Sequence, residues 1–67
     1  MMTFAQRLRA LKKGKGVSYS RMEKETGISI AMLYRYASDR TEPRLSYLIW
    51  LADYFGVTTD YLLGWED

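Results

Sequence analysis

A chain of 67 residues with no cysteine and no histidine has room for one domain, burying about 60% of its unfolded surface, and lacks the residues for disulfides, the usual zinc ligand sets and Ser-His-Asp or Cys-His nucleophiles. Hydrophobic residues make up 48%, too many for a disordered chain, yet the longest apolar run, Tyr47–Ala52, falls far short of the about 20 residues that span a membrane. The net charge of +2 is unevenly placed: residues 1–44 hold all ten bases and four acids, a net of +6, and residues 45–67 hold four acids and no base, a net of −4, which fits either a face built for a polyanion or scattered solvated charge.

The spacing predicts a first helix over about Thr3 to Lys13. Thr3 and Gln6 form a capping box. Phe4, Leu8 and Leu11 share one face, while Gln6, Arg7, Lys12 and Lys13 lie elsewhere. Gly14 and Gly16 are expected to end the helix. Gly14-Lys15-Gly16 lacks the upstream glycine and the following Ser/Thr of a phosphate loop, and reads as a turn. A second helix follows Ser18 and stops at Gly27. Its one large aliphatic is Met22, so it must lean on neighbours. A third runs over Ile30–Ala37 behind a Ser29 cap, with Leu33 and Tyr36 inward and Ile28 before the cap. The fourth, Leu45–Phe55, carries Leu45, Leu48, Ala52 and Phe55 on one face, widened by Leu51, and is capped by Gly56. A short fifth helix follows Thr58, with Val57 and Leu62 as a hydrophobic staple, and Gly64 ends it. No strict strand alternation, repeat or linker appears. Residues 1–67 are therefore expected to form a single all-α domain of five helices. The opening Met-Met-Thr-Phe has no signal-peptide pattern, which makes a cytoplasmic location the expectation.

A helix of about eight residues, a glycine, a three- to four-residue turn and a Ser-capped second helix have the spacing of a helix-turn-helix. Such a unit frees the outer face of its second helix for a major groove about 12 Å wide. The chain resembles the lambda-repressor-like (Cro/C1, or XRE-type) DNA-binding family in Phe4-Ala-Gln-Arg-Leu-Arg-Ala-Leu-Lys-Lys, Gly27-Ile-Ser, Leu33-Tyr-Arg-Tyr36 and Glu42-Pro43. The longest matching segment is Leu51-Ala-Asp-Tyr-Phe-Gly-Val-Thr-Thr-Asp-Tyr-Leu-Leu-Gly64. The resemblance covers about Thr3 to Gly64. It implies a five-helix fold with Ile30–Ala37 as recognition helix, binding a double-stranded DNA operator, commonly as a homodimer on an inverted repeat. By position it implies base reading by Ser29, Ile30, Ala31, Tyr34 and Arg35, and phosphate contacts from Lys12, Ser18, Tyr19, Arg40, Thr41 and Arg44.

Side-chain chemistry agrees with part of that set. Arg35 can offer two donors to guanine, and Ile30 and Ala31 can cover a thymine methyl. Arg40 and Arg44 flank the loop after the third helix, where a basic pair holds the backbone register. The bland readings stand beside these: Ile30 as core, and Arg35, Arg40 and Arg44 as solvated charge. Three places depart from the family pattern. Tyr19 stands where Gln is usual. Glu23 stands where Ala is usual, so its carboxylate must swing outward or find a cation in Arg35 or Lys24. Ala37 and Ser38-Asp39 replace Glu-Asn-Gly, which removes an ion pair to the position of Lys12.

Tyr47, Trp50 and Tyr54 fall at i, i+3, i+7 on the fourth helix. With Trp65 they form either an exposed aromatic patch for a dimer or partner or ordinary packing under the C-terminal tail. Two functions follow. One is a transcriptional regulator, a repressor that occupies its operator. The other is a protein-interaction module of antitoxin or anti-repressor type on the same scaffold. No enzyme activity, cofactor, metal or membrane partner is expected.

Overall fold

The computed structural model describes residues 2–66, and among them all regular structure is helical. The order is α1 (Phe4–Lys15), α2 (Tyr19–Thr26), α3 (Ile30–Ala37), α4 (Leu45–Phe55) and α5 (Thr59–Leu62). α1 packs on α3 and α5, α2 packs on α3 and α4, and α4 packs on α5. Their shared core is Leu8, Val17, Met22, Ile28, Leu33, Tyr36, Ala37, Leu48, Leu51, Ala52 and Leu62. This is the expected five-helix lambda-repressor-like architecture.

The caps explain most of the boundaries. Thr3 Oγ1 accepts the Gln6 N–H at 3.2 Å, and Gln6 Oε1 accepts the Thr3 N–H at 2.9 Å, closing the capping box. Ser18, Ser29 and Thr58 cap α2, α3 and α5 by accepting N–H groups from Arg21, Met32 and Tyr61. Each removes one orphan donor that a helix start leaves over. α2 buries only Met22, as its sparse apolar content implies.

α1 corrects the expectation at its end. It runs two residues past Lys13, with Gly14 inside the helix and Gly16 as the left-handed cap at φ +71°. A glycine inside a helix costs about 1 kcal/mol. Lys12, Lys13 and Lys15 in the last turn oppose that cost by facing the negative end of the helix dipole. Gly14-Lys15-Gly16 is thus a helix end and its cap. Arg7 is the second correction: it is only 8% exposed. Its guanidinium lies 4.0 Å from the Tyr61 ring centroid, and Nη2 donates to the Glu66 carbonyl at 3.1 Å. A chain end returning from 59 residues away covers it.

Leu45 is the third correction. It is 72% exposed, although Leu48, Leu51 and Ala52 on the same helix are buried. It is the first residue of α4, and its side chain overhangs a helix end that nothing covers. Gly64, at φ +85°, brings the chain against the N-terminal segment.

Candidate nucleic-acid interface

α2 ends at Thr26 and α3 begins at Ile30, with Gly27 at φ +81° making the turn. The Thr26 hydroxyl donates to the Met22 carbonyl at 2.7 Å and accepts the Ile28 N–H at 3.1 Å, tightening the corner. Ile28 and Leu33 are fully buried and pin α3 against α2. With Leu33, Tyr36 and Ala37 inward, the opposite face is set by helical periodicity. Ala31, Tyr34 and Arg35 lie on it and are exposed, as is Ser29 at the cap. Ile30 is half-buried beside them and outside the core. Ser29 and Ile30 therefore stand at the start of α3, and Ala31, Tyr34 and Arg35 share its exposed face, with Arg35 in the last turn.

The expected phosphate residues fall into two groups. Lys12 on α1 meets Tyr19 at the start of α2, and Ser18 precedes Tyr19 as the cap. Lys12 Nζ lies 4.5 Å from the Tyr19 ring centroid, and the Tyr19 ring lies 4.5 Å from that of Tyr34 on α3. Tyr19 is half-buried. Burial raises its phenol above the ordinary tyrosine value, Tyr34 adds to the rise and Arg9 opposes it. Lys12, Tyr19 and Tyr34 thus form a ladder across three helices. In it Tyr19 braces α3 through its ring, where a shorter amide would hydrogen-bond.

Arg40 and Thr41 are exposed in the loop after α3, and the Arg40 N–H donates to the Arg35 carbonyl at 3.2 Å. Arg44 sits at the other end of the loop. Its N–H donates to the Tyr36 hydroxyl at 3.2 Å, and its guanidinium lies 4.9 Å from the Tyr47 ring centroid. Asp39 takes φ +62° in this loop, where glycine would be easier. Arg21–Glu25 at 3.2 Å is the one ion pair among the described residues. Arg35, Arg40 and Arg44 are therefore not neutralised by neighbours among those residues.

Both departures around α3 have a structural answer. Glu23 finds neither Arg35 nor Lys24. Its Oε2 accepts the Ile30 N–H at 2.7 Å, at the first residue of α3. At the far end, Arg9 donates through Nη1 to the Ala37 carbonyl, putting a cation at the helix C-terminus where the usual glutamate is missing. Sequence reading missed the part played by Arg9. The signal available was a base on α1 facing a helix with Arg35 as its only charge.

The aromatic patch divides. Tyr47 and Trp50 pair at 5.3 Å between centroids, and Trp50 is exposed. Tyr54 turns away. Its hydroxyl donates to Glu25 Oε1 on α2, and Lys15 Nζ lies 4.6 Å from its ring centroid. That bond, with help from Arg21, holds the Glu25 carboxyl below its ordinary range. Burial and the same bond raise the Tyr54 phenol. Trp65 is exposed beyond α5. The apolar surface on α4 consists of Leu45, Ile49 and Trp50. Ile49 was missed, although its i+4 spacing from Leu45 marks a second stripe beside the core stripe.

Among the described residues no group of three His, Cys, Asp or Glu side chains could hold a metal, and no helix is long and apolar enough to cross a membrane. The chain is 31% identical over 64 residues to a Bacillus subtilis (strain 168) protein named "Uncharacterized HTH-type transcriptional regulator YobD". The match covers 96% of this chain and 57% of that protein, so the chain spans little more than half of that relative's length. No solved structure matches significantly. The family model described as helix-turn-helix matches residues 8–62. That stretch runs from the first half of α1 to the last residue of α5, and over this length the chain belongs to the lambda-repressor-like (Cro/C1, XRE-type) helix-turn-helix family.

Proposed function

We propose that this chain is a transcriptional regulator that binds double-stranded DNA with α3 in the major groove. It represses by occupying its operator, as a homodimer on an inverted repeat, in the cytoplasm. One observation carries the reading: Ala31, Tyr34 and Arg35 stand exposed at i, i+3 and i+4 while the core grips the opposite face of the same helix. In this reading Arg35 donates to guanine O6 and N7, Ile30 and Ala31 cover a thymine methyl, and Ser29 and Tyr34 complete the base contacts. Lys12, Ser18, Tyr19, Arg40, Thr41 and Arg44 hold phosphates and fix the register. The B. subtilis relative, named as a transcriptional regulator, supports the same class of activity.

The test is titration of two duplexes, one carrying an enriched site and one of random sequence. Arg35→Ala should cost about 1–3 kcal/mol on the site and relax selection at one base pair. Arg40→Ala should weaken both duplexes alike and lower the salt slope by about 1. Equal loss on both duplexes for Arg35→Ala would remove its base-reading role. A protein-interaction module is the second reading, favoured by the exposed Leu45, Ile49 and Trp50 of α4. It predicts DNA binding with little salt dependence, whereas the three cations Lys12, Arg40 and Arg44, six of them in a homodimer, give a log–log slope of about −5.

A further inference from the structure

α3 begins with donors already taken. A free helix start offers N–H groups and a partial positive charge to any anion, phosphate included. Here Ser29 Oγ accepts the Met32 N–H at 3.2 Å, and Glu23 Oε2 accepts the Ile30 N–H at 2.7 Å. Glu23 reaches forward from α2 and remains exposed. The tip of α3 therefore carries a full negative charge where a phosphate would otherwise fit. Only one carboxylate oxygen is used by Ile30. The other, Oε1, accepts no hydrogen bond from the described residues and belongs to an exposed side chain held at the first residue of α3.

An acceptor at that place discriminates among base edges. It is repelled by guanine O6, thymine O4 and phosphate, and it fits the exocyclic amino group of cytosine or adenine. We infer that Glu23 is a specificity-determining residue that accepts a hydrogen bond from the amino group of a cytosine or adenine in the major groove, below the start of α3. The inference rests on the proposed DNA-reading role of α3.

Glu23→Gln gives the sharpest test because it keeps the shape. With its Oε1 left on the Ile30 N–H, the outward atom becomes an amide NH2, a donor in place of an acceptor. Wild type, Glu23→Gln and Glu23→Ala are each selected against a random duplex library. The enriched duplexes are then titrated with single base-pair changes. Wild type should prefer adenine or cytosine at one position of one strand by about tenfold. Glu23→Gln should prefer guanine or thymine at that same position. Glu23→Ala should show no preference there and should bind random duplex roughly several-fold tighter, since one like charge leaves the phosphates. Circular dichroism checks that all three remain helical. If all three enrich one sequence with the same preference at every position, the inference is overturned and the α3 reading stands. If wild type enriches nothing, both fall.

Discussion

A methyl group added at Gly64 and one added at Gly14 meet opposite surroundings. At Gly64 the Cβ would lie 1.8 Å from the Met2 carbonyl oxygen, on a backbone at φ +85°. Gly64→Ala should therefore destabilise by about 2 kcal/mol or more, through both strain and clash. At Gly14 the Cβ would meet nothing within 4 Å, and the residue is helical. Gly14→Ala should stabilise by about 0.5–1 kcal/mol. Urea unfolding of the two variants checks both signs, and a neutral Gly64→Ala would show that the close approach to Met2 is not maintained in solution. The sequence marks all five glycines as breaks but does not rank them. Gly64 owes its role to a segment 62 residues earlier in the chain, and Gly14 lost its role as a stop to three lysines and a better cap at Gly16. Arg7 was misplaced for a related reason: its cover is Tyr61 and the Glu66 carbonyl, and neither is visible in the periodicity of α1.

At the scale of elements, α2 and α3 were legible nearly to the residue because serine caps and Gly27 signal their ends in local chemistry. How the two are braced was not legible, because it depends on rings and charges from three helices. The Lys12–Tyr19–Tyr34 ladder makes a testable distinction. Tyr19→Phe keeps the ring and should retain the preference for an enriched duplex over random duplex. Tyr19→Ala frees Tyr34 and should reduce that preference about tenfold, roughly the lower end of one base contact. Equal behaviour of the two variants would argue that the hydroxyl, or nothing at Tyr19, matters.

The α2–α4 tie adds a pH dependence. The Glu25 carboxyl is more acidic in the folded chain than its ordinary value of 4.5, so its contribution is present above that pH and is lost as pH falls through the folded value. The phenols of Tyr19 and Tyr54 are raised above 10.0, so their contribution is present below pH 10 and is lost as pH rises past the folded values. Tyr54→Phe should flatten part of the acid-side dependence in urea unfolding as the pH falls below about 4.5. An unchanged acid limb would show that the Tyr54–Glu25 bond contributes nothing in solution.

At the scale of the molecule, size and surface bear on how many copies act together. The longest extent is 28 Å, shorter than the about 34 Å between half-sites one helical turn apart. On the proposed inverted repeat, one such domain reaches one half-site. Leu45, Ile49 and Trp50 on α4 offer an apolar surface that a second copy could cover. Trp50→Ala should shift the sedimentation mass towards monomer or lower the cooperativity of filling two half-sites. An unchanged mass and cooperativity would exclude Trp50 from the contact. The sequence showed α4 as the most apolar helix and, through Leu48, Leu51 and Ala52, the side the core takes, but not where along that side the cover stops. Leu45 was assigned inward and proved exposed, since periodicity alone does not tell where a neighbouring element ends.

Affinity selection of the wild-type chain from a random duplex library at about 150 mM salt shows whether α3 reads base sequence. An inverted repeat with half-sites about one helical turn apart should be enriched. A folded chain that enriches no sequence would contradict base reading by α3.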